Sequence, residues 1–363
     1  MTIAMKVKHN NCFDLIRHIA ALSVLYCHHF AISGLPEPSI PGMMTLGGFA
    51  VLVFFSVSGY LVAKSFLRCD GFMDFFARRS LRIFPAYIAC CFLMVYALGY
   101  AYTNSPASNF FFSHSNIDAF LSYIVFVYPS LPNIFEGYHL NLAINGSIWT
   151  LAVEFICYLL LAVVLLLART YKSVLVAIAA LAVSYMWLST NANTINVWSV
   201  PAYLVTSFGS TFFVGALLAL TEKSWNTRKV KAWLVGACAL IMFAVYGRAE
   251  AMITWHLLTP IIIVLLGVSF SERLIAGKFD ISYGIYIYAF PIQQVMVNAT
   301  GLGFYSSMAA SFFATIIFAS ISWAAIEKPA LSYIRKKPKP TKVLACPNIS
   351  NADNCEALPS RNN

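Results

Sequence analysis

The first apolar stretch of the chain carries more ionisable side chains than a buried helix should: Asp14, Arg17, His18, His28 and His29. Charge in apolar surroundings is costly, so such residues are functional candidates. Arg17 and His28 are eleven residues apart. At about 100° and 1.5 Å per residue they share one helix face, roughly 16 Å apart along the axis, and cannot touch. Asp14 joins that stripe three residues before Arg17. A guanidinium suits phosphate recognition, and an imidazole suits proton transfer at neutral pH. A snorkelling arginine with an interfacial histidine would leave the same trace. His29 points about 100° away and is expected at the interface.

Glu154 is the second outlier, in Ser147-Ile148-Trp149-Thr150-Leu151-Ala152-Val153-Glu154-Phe155. No Lys or Arg stands one turn away, so a partner must come from another helix. A structural pair with an arginine is one reading; the other is a buried carboxylate of raised pKa that moves protons. The third feature is Arg78-Arg79-Ser80-Leu81-Arg82-Ile83-Phe84-Pro85. Arg79 and Arg82 at i, i+3 share a face, as a phosphate site needs. Topology alone also favours arginines at a span's cytoplasmic end. His9, His114, His139 and His256 are scattered, and no CxxC pattern or other metal-ligand spacing is present.

These residues need helices to position them, and the composition supplies that architecture. Of 363 residues, 60% are hydrophobic and only 10% charged. A soluble domain carries about 25% charged residues, so a soluble enzyme, a disordered protein and a disulfide scaffold are excluded. The long apolar runs predict an all-α polytopic transmembrane helix bundle. About ten spans are expected, near 13–32, 48–66, 83–103, 148–168, 173–190, 201–221, 231–247, 252–270, 281–299 and 306–326. The stretch 117–132 is apolar but short and reads as an interfacial or re-entrant segment. If it does not cross, every Lys and Arg except Arg248 falls on one side, which places both termini in the cytoplasm. The net charge of +10 then reflects basic cytoplasmic loops rather than nucleic-acid binding. Residues 1–335 are expected to form the membrane-embedded domain, and 336–363 a disordered cytoplasmic tail.

The ordered motifs are similar to those of the integral-membrane acyltransferases of type 3, which include bacterial O-antigen and exopolysaccharide O-acetyltransferases. The resemblance rests on Phe13-Asp14-Leu15-Ile16-Arg17 with His28, on Phe54-Phe55-Ser56-Val57-Ser58-Gly59-Tyr60-Leu61, and on Arg79-x-x-Arg82-Ile83-x-Pro85. It continues in Trp149 to Phe155, Ile281-Ser282-Tyr283-Gly284-Ile285-Tyr286 and Ile326-Glu327-Lys328-Pro329. Where many members have a histidine before the Phe-Pro of the span near 281–299, this chain has Ala289.

The resemblance implies an enzyme of the bacterial cytoplasmic membrane. It would move an acyl group, most simply acetyl, from cytoplasmic acetyl-CoA or another acyl-CoA to a hydroxyl of an exported or cell-surface carbohydrate, free or lipid-linked. No metal is implied. Arg17, Arg79 and Arg82 would hold the CoA phosphates. His28 would act as general base or accept the acyl group, with Glu154 orienting it and Asp14 beside Arg17 completing the catalytic set. Tyr138, Trp198 and Trp255 could stack on sugar rings or anchor the membrane interface. A proton-coupled transporter would use similar buried charges, but the half-repeats expected of one are not evident.

Overall fold

The computed structural model describes residues 11–103, 106–129, 131, 134–135, 137–140, 144–191, 195–248, 251–275 and 277–336. The tail expected to be disordered lies outside these residues except for Lys336, as do His9, Cys346 and Cys355. The helices are α1 (Phe13–Ile32), α2 (Leu46–Phe66), α3 (Phe72–Ala101, π-helical over Leu93–Leu98), α4 (His114–Ile124), α5 (Trp149–Leu167) and α6 (Tyr171–Asn191). There follow α7 (Ala202–Leu220), α8 (Arg228–Ala244), α9 (Ala251–Ser269), α10 (Ser282–Asn298) and α11 (Phe304–Ser322). A π-helical turn (Trp323–Glu327) joins α11 to α12 (Lys328–Lys336). Two-residue strands form only small hairpins, Ser39–Ile40 with Met44–Thr45 and Asn196–Val197 with Val200–Pro201.

Among the described residues, eight helices are long and apolar enough to cross a membrane. The two other expected positions are filled by α8 and α10, each 17 residues long. The protein is an all-α polytopic membrane bundle, as the composition requires. The helices alternate in direction, and side-chain contacts tie the correct ends together. At one end Arg17 meets Asp280 and Lys64 meets Glu222, each at 2.8 Å. At the other, Gln293 Nε2 donates to the Leu25 carbonyl at 2.7 Å and Gln294 Nε2 to that of Leu140 at 2.8 Å.

The described part of the short apolar segment, residues 117–129, holds no helix long enough to cross. Its helix, α4, begins at His114 and has 11 residues, about 16 Å of rise against a hydrocarbon core of about 30 Å. It turns back at Phe126, which is buried and has a left-handed φ of 62°. That ring packs on Phe84, Tyr87 and Phe155 from α3 and α5. Tyr87 donates to the Tyr123 carbonyl at 2.6 Å. The segment is therefore tucked into the bundle wall, which its apolar composition permits.

Several motif residues serve the packing. A Cβ on Gly59 would lie 1.9 Å from the Phe212 carbonyl oxygen, and one on Gly215 would lie 2.4 Å from that of Ser56. The backbones of α2 and α7 thus touch at a glycine pair, the small-residue contact that brings membrane helices together. The neighbouring residue of α2, Ser58, bonds Glu154 of α5. Pro85 sits inside α3 and removes one helical N–H. Nearby carbonyls of α3 accept from α10: Ile83 from Tyr283 at 2.9 Å and Ala86 from Tyr288 at 3.4 Å.

Candidate active site

A cavity of about 110 Å³ opens among α1, α2, α3, α5 and α10. Its walls include Arg17, Arg79, Arg82 and Glu154, together with Ser58, Tyr158, Thr150, Tyr283 and Tyr286. Four residues singled out in the sequence, from three separate helices, thus meet in one space. The remaining wall is apolar.

The arginines are not equivalent. Arg17 donates to Asp280 Oδ2 at 2.8 Å and Arg82 donates to the same oxygen at 2.7 Å. Arg82 also lies 3.8 Å from Glu327, which is 2% exposed and is presented by the π-helical turn. Ser282 donates to the other oxygen of Asp280 at 2.7 Å. Burial alone would raise the Asp280 carboxyl, but the Arg17 and Arg82 guanidiniums and the Ser282 hydroxyl hold it well below the usual carboxylate range. Two cations are therefore balanced by two carboxylates. Among the described residues Arg79 has no carboxylate partner: it donates to Ser65 Oγ at 3.3 Å, lies 5.9 Å from the Tyr158 ring centre, and leaves its Nε buried without a partner.

Glu154 makes its bonds within the cavity. Ser58 Oγ donates to Glu154 Oε1 at 2.5 Å and Tyr158 OH donates to the same atom at 2.6 Å. Its expected pairing with His28 is not made. It shares the cavity of the arginines instead. The reason is the length of α3. That helix starts at Phe72 rather than near residue 83 and has 30 residues, about 45 Å. Arg79 and Arg82 therefore ride two to three turns up it instead of marking its mouth.

His28 lies beyond the cavity, on the far side of a hydrogen-bonded partition. Its Nδ1 is 3.4 Å from Ser147 Oγ, and its ring meets the Phe290 ring at 5.1 Å in an edge-on contact. Tyr286 OH and Thr150 Oγ1, which line the cavity, are 2.6 Å apart and both donate to the Ser147 carbonyl, at 3.1 and 3.0 Å. Ser147 thus meets two wall residues of the cavity through its carbonyl and the imidazole through its hydroxyl. The carboxylate expected there is two helical turns away.

Asp14 does not join the cavity either: the carboxylate on Arg17 is Asp280, and Asp14 contributes its backbone carbonyl to His18 Nδ1 at 2.7 Å. His29 is fully buried against α11 rather than interfacial, within 3.0 Å of the Phe304 carbonyl and 3.2 Å of Ser307 Oγ. His256 is likewise buried, with Nδ1 2.8 Å from Thr211 Oγ1. Tyr138 is held by its hydroxyl to Tyr102 at 2.9 Å, whereas Trp198 packs one face on Phe126 and stays partly exposed. Among the described residues no cluster of His, Cys, Asp and Glu could hold a metal.

Sequence reasoning missed Asp280, Ser58, Tyr158, Ser147, Thr150 and Tyr286 as site residues. Most lie inside the quoted motifs, but uncharged hydroxyls in a helix raise no alarm of their own. Asp280, two residues before Ser282, could have been found as the one acidic residue abutting a motif at the basic end.

A family model described as an acyltransferase domain matches residues 10–327. An O-acetyl transferase of Shigella phage Sf6 is 38% identical over 331 residues, covering 91% of this chain and 98% of that protein. Nodulation protein 10 of Rhizobium leguminosarum bv. viciae is 28% identical over 354 residues, covering 89% of this chain and 94% of that protein. No solved structure matches.

Proposed function

The chain belongs to this acyltransferase domain family, and from that premise we propose that it carries an acyl group, most simply acetyl, from cytoplasmic acyl-CoA to a hydroxyl of an exported carbohydrate. The observation that carries the reading is the cavity itself. It runs from three arginines to Thr150 and Tyr286, whose hydrogen bonds to Ser147 lead on to His28. The one-sided placement of Lys and Arg in the sequence supports reading the arginine end and both termini as cytoplasmic, in a bacterial inner membrane.

Acetyl-CoA is a substrate here, and the residues suit it. Arg79, with its unpartnered Nε, is the cation available to a CoA phosphate. Arg17 and Arg82 add positive field but are already neutralised by Asp280 and Glu327. The apolar wall accommodates the pantetheine arm. Glu154 belongs to this donor side: one oxygen is fixed by Ser58 and Tyr158, and the other can accept an amide N–H of the arm.

His28 is the general base. Its Nε2 has no hydrogen-bond partner among the described residues, whereas Nδ1 is engaged by Ser147. Nε2 takes the proton of the acceptor hydroxyl as that oxygen attacks the thioester carbonyl. The C–S bond breaks, the thiolate leaves, and Nε2 returns the proton to sulfur. The acceptor approaches from the His28 side, remote from the arginines. The phage relative's name, O-acetyl transferase, supports acetyl transfer to an oxygen, and a lipid-linked saccharide is a natural form of acceptor at a membrane.

The test is acetyl-CoA consumption by purified protein with and without saccharide. Acceptor-dependent release of free CoA is expected. Saccharide uptake into vesicles without CoA release would replace this reading with transport.

A further inference from the structure

We propose that Ser147 is the positioning residue of the reaction: its hydroxyl holds the Nδ1 edge of His28 so that Nε2 is the reacting nitrogen, the task that a carboxylate performs in a catalytic triad. The inference rests on the acyl-transfer reading above.

Ser147 is suited to that task because it cannot move. It is 1% exposed, and both its backbone groups are tied. Its amide donates to Asn145 Oδ1 at 3.0 Å, and its carbonyl accepts from Thr150 Oγ1 at 3.0 Å and Tyr286 OH at 3.1 Å. Asn145 is anchored in turn, donating through Nδ2 to the Ile287 carbonyl at 2.8 Å. Between them, a Cβ on Gly146 would lie 2.5 Å from the Phe290 ring, the same ring that meets the imidazole edge-on. The Asn145-Gly146-Ser147 turn and one face of α10 therefore form a rigid socket for the His28 ring.

The contact orients the ring, and the Ser147 hydroxyl can accept from Nδ1–H. When Nδ1–H donates to Ser147 Oγ, Nε2 carries the lone pair that a base needs. At 3.4 Å the bond is long, as catalytic hydrogen bonds often are before substrate binds. During turnover Nδ1–H stays in place, and only Nε2 gains the acceptor proton and returns it to the thiolate.

The experiment compares wild type, Ser147→Ala, Ser147→Thr and Ser147→Cys in acceptor-dependent acetyl transfer from acetyl-CoA, with acetyl-CoA binding measured in parallel. Ser147→Ala should lower kcat roughly ten- to a hundredfold, part of the factor a positioned general base supplies. KM for acyl-CoA and for acceptor should stay near wild type. Ser147→Thr, which keeps a hydroxyl, should recover at least half of the lost kcat on a logarithmic scale. If Ser147→Ala fails to fold, as judged by loss of acetyl-CoA binding, Ser147→Cys takes its place and should show the same fall. Wild-type kcat in Ser147→Ala or Ser147→Cys, or a fall shared equally by kcat and acetyl-CoA affinity, would overturn the proposal. Absence of transfer by the wild type itself would instead overturn the acyl-transfer reading.

Discussion

Arg82 donates to Asp280 at 2.7 Å across the junction of α3 and α10, and the same carboxylate oxygen holds Arg17 of α1. Three helices are thus pinned at the cavity's basic end by one shared acceptor. Removing one partner of a buried ion pair leaves the other uncompensated and costs about 3–5 kcal/mol. Asp280→Ala should lower the unfolding temperature in detergent while Asp14→Ala, whose carboxylate is outside this network, should not.

The pH dependence of that loss has a definite sign. Asp280 is held below its ordinary pKa in the folded protein, so its contribution is complete above the unfolded value of about 3.9 and fades as pH falls through the lower folded value. The stability gap between wild type and Asp280→Ala should be constant from neutrality to about pH 5 and shrink only in stronger acid. A gap that closes between pH 7 and 5 would contradict this assignment.

Arg79 and Arg82 should separate. Arg79→Ala should weaken acetyl-CoA binding about ten- to a hundredfold, the equivalent of a lost charge-assisted hydrogen bond of about 1.5–3 kcal/mol, with little change in unfolding temperature. Arg82→Ala should lower both, because Asp280 and Glu327 lose their partner. Calorimetric binding and thermal unfolding on the same preparations decide it. Equal unfolding temperatures for the two variants would remove the distinction.

Glu154→Gln should raise KM for acyl-CoA more than it lowers kcat, since the carboxylate is bonded within the arginine-lined cavity proposed for the donor and not to His28. A pure kcat loss at unchanged donor KM would return Glu154 to the imidazole.

The bundle was legible in the sequence because apolar length and the one-sided placement of Lys and Arg both constrain it; these also resolved the short segment now seen as α4. Arg17, Arg79, Arg82 and Glu154 were legible because charge inside a span is expensive. Their partners were not. Asp280 lies just before its helix, where charge costs little, and Ser58 and Ser147 are ordinary helix-compatible hydroxyls. Glu154 was misplaced because a span counted from hydropathy gives α3 too late a start, and that error propagates to every depth estimated from it. His29 was misread because helical phase shows that it points away from His28, but not that α11 lies there.

The helix contact behind the Ser58 motif can be tested by volume alone. Gly59→Ala would drive a Cβ to 1.9 Å from the Phe212 carbonyl oxygen, whereas a Cβ on Gly236 meets nothing within 4 Å. Gly59→Ala should cut the yield of folded protein sharply by detergent size-exclusion, and Gly236→Ala should not. Equal yields would mean that α2 and α7 do not pack as described.

The most direct measurement of the central claim is transfer of labelled acetyl from acetyl-CoA to saccharide by wild type and His28→Ala in the same membranes, alongside acetyl-CoA binding. The account predicts label on the wild-type saccharide, none above background for His28→Ala, and equal acetyl-CoA affinity, because His28 lies beyond the cavity that holds the donor. Wild-type labelling by His28→Ala would contradict it.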